Sequence, residues 1–312
     1  MTEPAADAMR IEDVHRVAIV GAGTMGQQIA FQCAGHGYDV AVYDVHSSAL
    51  EGAMKRIDAY AEGLVANGSI TSELRASAQA RIALTADIAT AAQHADLLSE
   101  AVPEDPGLKG RVLAEFNAAC PPRTIFMTNT STLVPSQFAK RSGRPDRLLA
   151  LHFHPPVWIN NLADVMPHPG TKPEVTQLVL AFARRIGQVP IELRREHNGY
   201  VFNSMYSALN TAAITLAQQG VASIEDIDRS WMHVTKASVG PLGALDAIGL
   251  DTVWTITDYW ARELRDPQLR ANAAFLKQYA DRGDVGVKAG RGFYSYPDPA
   301  YAQPGFIESP DS

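Results

Sequence analysis

Cysteine is scarce in this chain: Cys33 and Cys120 are the only two in 312 residues. A pair so far apart makes neither a disulfide framework nor a CxxC metal site. Long apolar runs are missing as well. None approaches the roughly 18 residues a membrane span requires, which argues against a transmembrane role. Basic charge is in deficit, with 27 Lys and Arg against 34 Asp and Glu, a net charge of −7. That balance argues against nucleic acid as the main partner, because such binding is driven by basic surface. The first 13 residues lack both the basic start and the apolar stretch of a secretory leader. No internal repeat or long low-complexity segment is found. What remains is ordinary globular composition, 46% hydrophobic and 20% charged. At about 150 residues per domain, the length suggests two domains. The expectation is a cytoplasmic protein with neither nucleic-acid nor membrane partners.

Residues 1–14 show no periodicity and read as a loose tail. From Arg16 short apolar runs (17–20, 40–43, 82–84, 97–102, 124–127, 148–153) alternate with helical stretches such as 24–34, 47–66 and 108–119. Continuous apolar runs imply strands buried on both faces, the mark of a mostly parallel sheet covered by helices. Two more strands, 162–166 and 189–193, flank a helix over about 173–186. After Arg195 the texture changes to helices near 199–219, 224–235, 244–248, 251–264 and 268–279, with no strand-like stretch until 293–296. The fold class is α/β: a Rossmann-type, doubly wound sheet domain over 15–195, then an all-α domain over 196–312, with the boundary near 194–198.

Gly21-Ala22-Gly23-Thr24-Met25-Gly26 is a GxGxxG turn with a strand before it and a helix after it. Gly21 permits the tight turn, Gly23 lets backbone approach a pyrophosphate, and Gly26 allows close helix–strand packing. The helix N-terminus offers unpaired N–H groups to phosphates, with Thr24 and Met25 in its first turn. Asp44 ends the second strand, where an acid accepts hydrogen bonds from the adenosine ribose and repels a 2′-phosphate. The cofactor predicted is NAD rather than NADP.

Three further stretches carry polar groups at strand ends or helix starts: Asn129-Thr130-Ser131-Thr132-Leu133, His152-Phe153-His154-Pro155-Pro156 and Gly199-Tyr200-Val201-Phe202-Asn203. With GxGxxG, Val102-Pro103-Glu104, Gly240-Pro241-Leu242-Gly243 and Gly290-Arg291-Gly292-Phe293-Tyr294, they resemble the short-chain L-3-hydroxyacyl-CoA dehydrogenases, including 3-hydroxybutyryl-CoA dehydrogenases. The resemblance runs from Arg16 to Tyr296. It implies an NAD-dependent oxidoreductase of fatty-acid metabolism that interconverts 3-hydroxyacyl and 3-ketoacyl groups on a short-chain acyl-CoA. It also implies a homodimer formed through the helical domain, and no metal. On the same resemblance His152 is the general base, Ser131 binds substrate, Asn203 is the active-site asparagine, and Asp164 stands for the glutamate that orients the histidine. Glu104 and Lys109 match an acid and a lysine near the nicotinamide and its ribose, and Asn129 joins the cofactor residues. The chemistry agrees, since an imidazole accepts a hydroxyl proton near neutral pH while hydride leaves for the nicotinamide.

Read without the resemblance, His152 and His154 lie on one face of a strand and suggest a metal, but no third ligand lies nearby in sequence. Asn203 falls inside the first turns of a long helix, where Asn is a poor helix former, and that cost suggests function. Relative to the family pattern His154 and Pro155 replace a Phe and an Asn, and Asn198 replaces a Pro. Between His46 and Leu74 only Lys55 and Arg56 are basic, with Tyr60 and Asn67 where polar contacts to coenzyme A are expected. These departures leave alternatives: a carrier-linked or free 3-hydroxy acid such as L-gulonate as substrate, or a catalytically silent NAD-binding relative.

Overall fold

A computed structural model describes residues 9–308 of the chain. Its strands are β1 (Arg16–Val20), β2 (Asp39–Tyr43), β3 (Ile82–Thr85), β4 (Leu97–Glu100), β5 (Ile125–Thr128), β6 (Leu148–Phe153), β7 (Leu162–Pro167) and β8 (Val189–Glu192). They form one sheet in the order β3-β2-β1-β4-β5-β6-β7-β8. The first six are mutually parallel, β7 runs antiparallel to β6, and β8 is parallel to β7. The helices of this half are α1 (Thr24–Gly35), α2 (Ser47–Leu50), α3 (Ala53–Ala66), α4 (Ser72–Gln79), α5 (Ile88–Ala92), α6 (Pro106–Ala119) and α7 (Pro173–Arg185).

Alternate strand residues enter two cores. Val17 and Ile19 pack with Ile29, Ile57 and Phe182 from α1, α3 and α7. Ala18 and Val20 pack with Ala92, Leu113 and Phe116 from α5 and α6. Covering both faces is why the strands read as unbroken apolar runs. The stretch 47–66 is two helices rather than one, because Gly52 between them takes φ +71°. The expected loose tail is corrected where it is described (1–8 lie outside the described residues). Ile11–Asp13 forms a 3₁₀ turn, Val14 is buried in the core, and Met9 and Ile11 pack against it. Arg185 donates to the Ile11 carbonyl at 3.0 Å, so apolar contact and a hydrogen bond together hold this segment.

The chain divides into two compact units after Val201. The division falls beyond 194–198 because the intervening residues stay tied to the sheet unit: His197 N–H donates to Met166 Sδ at 3.3 Å, the Asn198 amide donates to Thr132 O at 2.7 Å, and the Tyr200 ring stacks on His152. The second unit contains α8 (Phe202–Gln218), α9 (Ile224–Thr235), α10 (Pro241–Ile248), α11 (Leu250–Glu263) and α12 (Pro267–Arg282) around Ile214, Leu242, Leu250 and Leu276. The helix expected from 199 starts at Phe202, since Gly199 and Tyr200 take φ of +78° and +53°.

The stretch 293–296 is not a strand but a turn gathered by a carboxylate. Asp246, buried on α10, accepts from Phe293 N–H and Tyr294 N–H at 2.9 Å and from Tyr296 O–H at 3.0 Å. Asp228 on α9 accepts from Leu242 N–H, Gly243 N–H and Tyr294 O–H. Burial pushes both carboxyls above the usual carboxylate range, and the backbone donors pull the other way. Asp246→Ala strands two N–H donors in a closed interior, so we expect a loss of about 2–4 kcal/mol by urea denaturation. A change below about 0.5 kcal/mol, the range of an ordinary surface substitution, would mean that this carboxylate is not what holds the turn.

Candidate active site

The turn after β1 is shaped by close approach. Gly21 has φ +112°, and a Cβ there would meet the Ala101 carbonyl oxygen at 2.7 Å; one at Gly26 would collide with the Gly21 carbonyl. Gly23 differs: it is exposed, and a Cβ there would meet nothing within 4 Å. It is also the N-cap of α1 and supplies no side-chain cap, so the first N–H groups of the helix are left for an anion. Asp44 braces the turn: its Oδ2 accepts from Ala22 N–H and its Oδ1 from His46 N–H, both at 2.9 Å. Each carboxylate oxygen keeps a further lone pair for a sugar hydroxyl. These residues fit a dinucleotide.

Beneath the turn after β5 lies a buried ionic network. Glu100, at the end of β4, accepts from Lys109 Nζ at 2.8 Å, Thr128 O–H at 2.6 Å and Val102 N–H at 2.7 Å. Lys109 is 1% exposed, and its ammonium also reaches the Val102 carbonyl at 3.1 Å and Glu104 Oε2 at 3.3 Å. The three N–H groups of Lys109, which is expected near the nicotinamide and its ribose, face protein acceptors below the surface. Glu104 gathers the next loop, with its Oε1 accepting from Thr130 O–H, Ser131 N–H, Thr132 N–H and Thr132 O–H. Burial pushes Glu104 up, but those hydrogen bonds and Lys109 outweigh it and hold the carboxyl below its ordinary range. Asn129 Oδ1 accepts from Phe153 N–H at 2.9 Å, which ties the end of β5 to β6.

His152 lies at the C-terminal end of β6, directly across the antiparallel ladder from Asp164 on β7. Its Nδ1 is 3.2 Å from Asp164 Oδ2, so the shorter acid reaches the ring directly. Cross-strand partners stand on the same face with Cβ atoms about 4.5–5.5 Å apart, close enough for an aspartate. His154, two residues on, places its Nε2 3.0 Å from the same Oδ2. The two imidazoles meet edge to face at 4.6 Å, and the Tyr200 ring stacks on His152 at 4.8 Å. Burial pushes the Asp164 carboxyl up, yet the two histidine hydrogen bonds outweigh it and hold it below the usual range.

The missing third partner for the two histidines is thus Asp164, distant in sequence but within 4.8 Å by ligand atoms. Both ring nitrogens already face one carboxylate oxygen at hydrogen-bond distance, which describes N–H donors. Asn203 belongs to the second unit, as the second residue of α8. That is the first turn, as expected, and helix N–H groups are unpaired there in any case, so the propensity cost of Asn is small. Of the residues expected to meet a carrier, Arg56 donates to the carbonyls of Ala49 and Glu51, and the Tyr60 hydroxyl oxygen accepts from Trp158 N–H. Asn198 has a reason for replacing proline: its amide donates to Thr132 O at 2.7 Å. His154 as a partner of Asp164, Tyr200 and the Glu100 network escaped sequence reasoning. Only the i, i+2 spacing of the two histidines hinted at any of them.

A glycine-rich turn fit for phosphate on a doubly wound sheet, with a buried imidazole–carboxylate pair across β6 and β7, defines a nicotinamide-dependent dehydrogenase. Residues 16–197 match the model of the 3-hydroxyacyl-CoA dehydrogenase NAD-binding domain, and 199–296 match that of the family's C-terminal domain. A probable 3-hydroxybutyryl-CoA dehydrogenase of Bacillus subtilis is 32% identical over 284 residues, covering 91% of this chain and 98% of that protein. A solved diketoreductase acting on dicarbonyl compounds is 41% identical with a TM-score of 0.84, covering 91% of this chain and 99% of that one. The (S)-3-hydroxybutyryl-CoA dehydrogenase of Ralstonia eutropha is 29% identical with a TM-score of 0.81, covering 91% of this chain and 100% of that one. The chain belongs to the 3-hydroxyacyl-CoA dehydrogenase family, as an NAD-dependent oxidoreductase acting on CH–OH groups. Among the described residues no helix is long and apolar enough to cross a membrane.

Asp44, an acid just past the end of β2, is expected to set the cofactor preference. We expect kcat/KM to favour NAD over NADP by about 10²-fold or more, since a carboxylate facing a 2′-phosphate repels it, and Asp44→Ser to narrow that ratio. Equal ratios for the parent enzyme would remove Asp44 from the ribose site.

Proposed function

We propose that the enzyme interconverts L-3-hydroxyacyl and 3-ketoacyl groups on short-chain acyl-CoA, with His152 as general base. The observation that carries the reading is the His152–Asp164 pair. An ionised carboxylate accepts only, so His152 holds its proton on Nδ1 and keeps Nε2 as the basic nitrogen for substrate. Asp164 then stabilises the imidazolium that forms when the hydroxyl proton is taken. The Gly21–Gly26 turn and Asp44 would hold NAD, whose nicotinamide supplies the hydride acceptor. Ser131, whose backbone is pinned by Glu104, and Asn129 keep side-chain donors for the substrate oxygen or cofactor. Asn203 serves as a further donor on the same reading. Proximity and orientation from these groups supply the remainder of the catalysis.

A second reading replaces the coenzyme A ester with a free or carrier-linked 3-oxo compound. Two observations favour it: Arg56 is committed to carbonyls of its own segment, and the diketoreductase relative acts on dicarbonyl compounds. Comparing kcat/KM for acetoacetyl-CoA, free acetoacetate and a simple diketone with NADH separates the two. We also infer a homodimer formed by the helical unit, which exposes Met205, Trp231, Val234, Ile256, Tyr259 and Trp260. Large apolar faces of this kind are what subunit contacts cover. Cys33 and Cys120 are free and buried, which fits the reducing cytoplasm.

His152→Gln should keep NAD affinity within a few-fold while lowering kcat by about 10²-fold or more. Asp164→Asn should also cost catalysis heavily, and Asp164→Glu should impair it by crowding a contact already made. Turnover of the His152 variant within a few-fold of the parent would exclude it as the base. Light scattering at micromolar concentration should give twice the chain mass, and a monomer would refute the dimer.

A further inference from the structure

Asp164 is fully buried, and its two oxygens are unequal. Oδ1 has no hydrogen-bond partner, whereas Oδ2 accepts from both His152 Nδ1 at 3.2 Å and His154 Nε2 at 3.0 Å. All hydrogen bonding to this carboxylate therefore comes from two imidazoles, and the shorter of the two contacts belongs to His154. We propose that His154 is a positioning residue: its Nε2–H fixes the carboxylate rotamer toward His152 and shares the oxygen that would otherwise bind the His152 imidazolium alone. This rests on the base role proposed above for His152.

The geometry explains why a second donor matters here. A buried carboxylate left with one hydrogen bond is poorly solvated and binds any nearby cation more tightly. His154 donates from the same strand face, two residues beyond His152 and diagonal to Asp164, so the three side chains form a closed set. The titratable groups that face it are Asp164 from β7, His152 and His154 from β6 and its end, and Tyr200 from the segment before α8. Glu100, Glu104 and Glu196 lie further out, acting on Tyr200.

The sign of the effect follows. Removing the His154 N–H leaves Asp164 with His152 as its sole donor, so the protonated form of that pair is favoured. Alcohol oxidation requires the unprotonated base, so the acid limb of the kcat/KM profile moves to higher pH. For His154→Phe we expect an upward shift of about 0.5–1 pH unit, with kcat at the plateau lowered several-fold and KM within about threefold. His154→Gln, whose amide reaches the place of Nε2, should return the limb most of the way. A limb that stays put or moves down in His154→Phe would overturn the proposal, because a packing role alone does not move it. The wild-type enzyme supplies a test that needs no variant. Long-range ¹H–¹⁵N spectra of the imidazoles should show His154 carrying its proton on Nε2 and His152 on Nδ1, and a bare Nε2 on His154 would overturn it. Micromolar Zn²⁺ inhibition that disappears in His154→Phe would instead make the cluster a metal site and sink the positioning role. Inactivity on every substrate tested would defeat the base reading, and the imidazole spectra would still decide whether His154 holds Asp164.

Discussion

The reversal of strand direction between β6 and β7 is the constraint on which this site depends. In an antiparallel pair two residues stand directly opposite each other with side chains on one face, and here those residues are His152 and Asp164. A slip of one residue would send every side chain of β7 to the other face and take the carboxylate away from the ring. The strand is well placed to resist such a slip, since Ala163 and Val165 are buried in the main core on the opposite face. Placed opposite the histidine by this register, the short aspartate reaches the ring directly at 3.2 Å.

Carboxylates that collect backbone donors recur through the chain. Glu104 holds the loop of Thr130–Thr132, Asp246 the turn at 293–296, Asp228 the start of α10, and Asp96 the entry to β1 through the N–H groups of His15 and Arg16. Irregular backbone cannot satisfy its own N–H groups, and a carboxylate with three or more donors does so at fixed geometry. Lys109 completes the most enclosed of these networks, where the charge of Glu100 would otherwise be buried alone. The loops that carry polar side chains are thus fixed by ionic anchors below them, while the apolar core holds the strands and helices and the segment before β1.

Membership of the 3-hydroxyacyl-CoA dehydrogenase family sits beside clear local departures, and the structure gives several of them a physical reason. Asn198 supplies a hydrogen bond to Thr132 that proline has no side chain to make. His154 joins the carboxylate that serves His152. Arg56 closes its own segment. One fold supports different carriers and substrates by such changes around a retained reaction centre.

The GxGxxG turn, its flanking strand and helix, Asp44 and the alternation of buried strands with helices were legible because each is a local pattern with a local cause. A backbone that needs φ +112° at Gly21 and tolerates no side chain at Gly26 writes glycine into the sequence. Strands covered on both faces likewise write apolar runs. The change from sheet to helices, read from residue 195 onward, was visible as well. What lay beyond local pattern was decided by packing: that Ile11 and Val14 belong to the core, that Lys109 is buried under the loop, and that 293–296 is a turn gathered by Asp246. The triad of His152, His154 and Asp164 belongs with these. Its members are brought together by pairing between β6 and β7, a contact whose energy lies in the register of two strands and is absent from the composition of either.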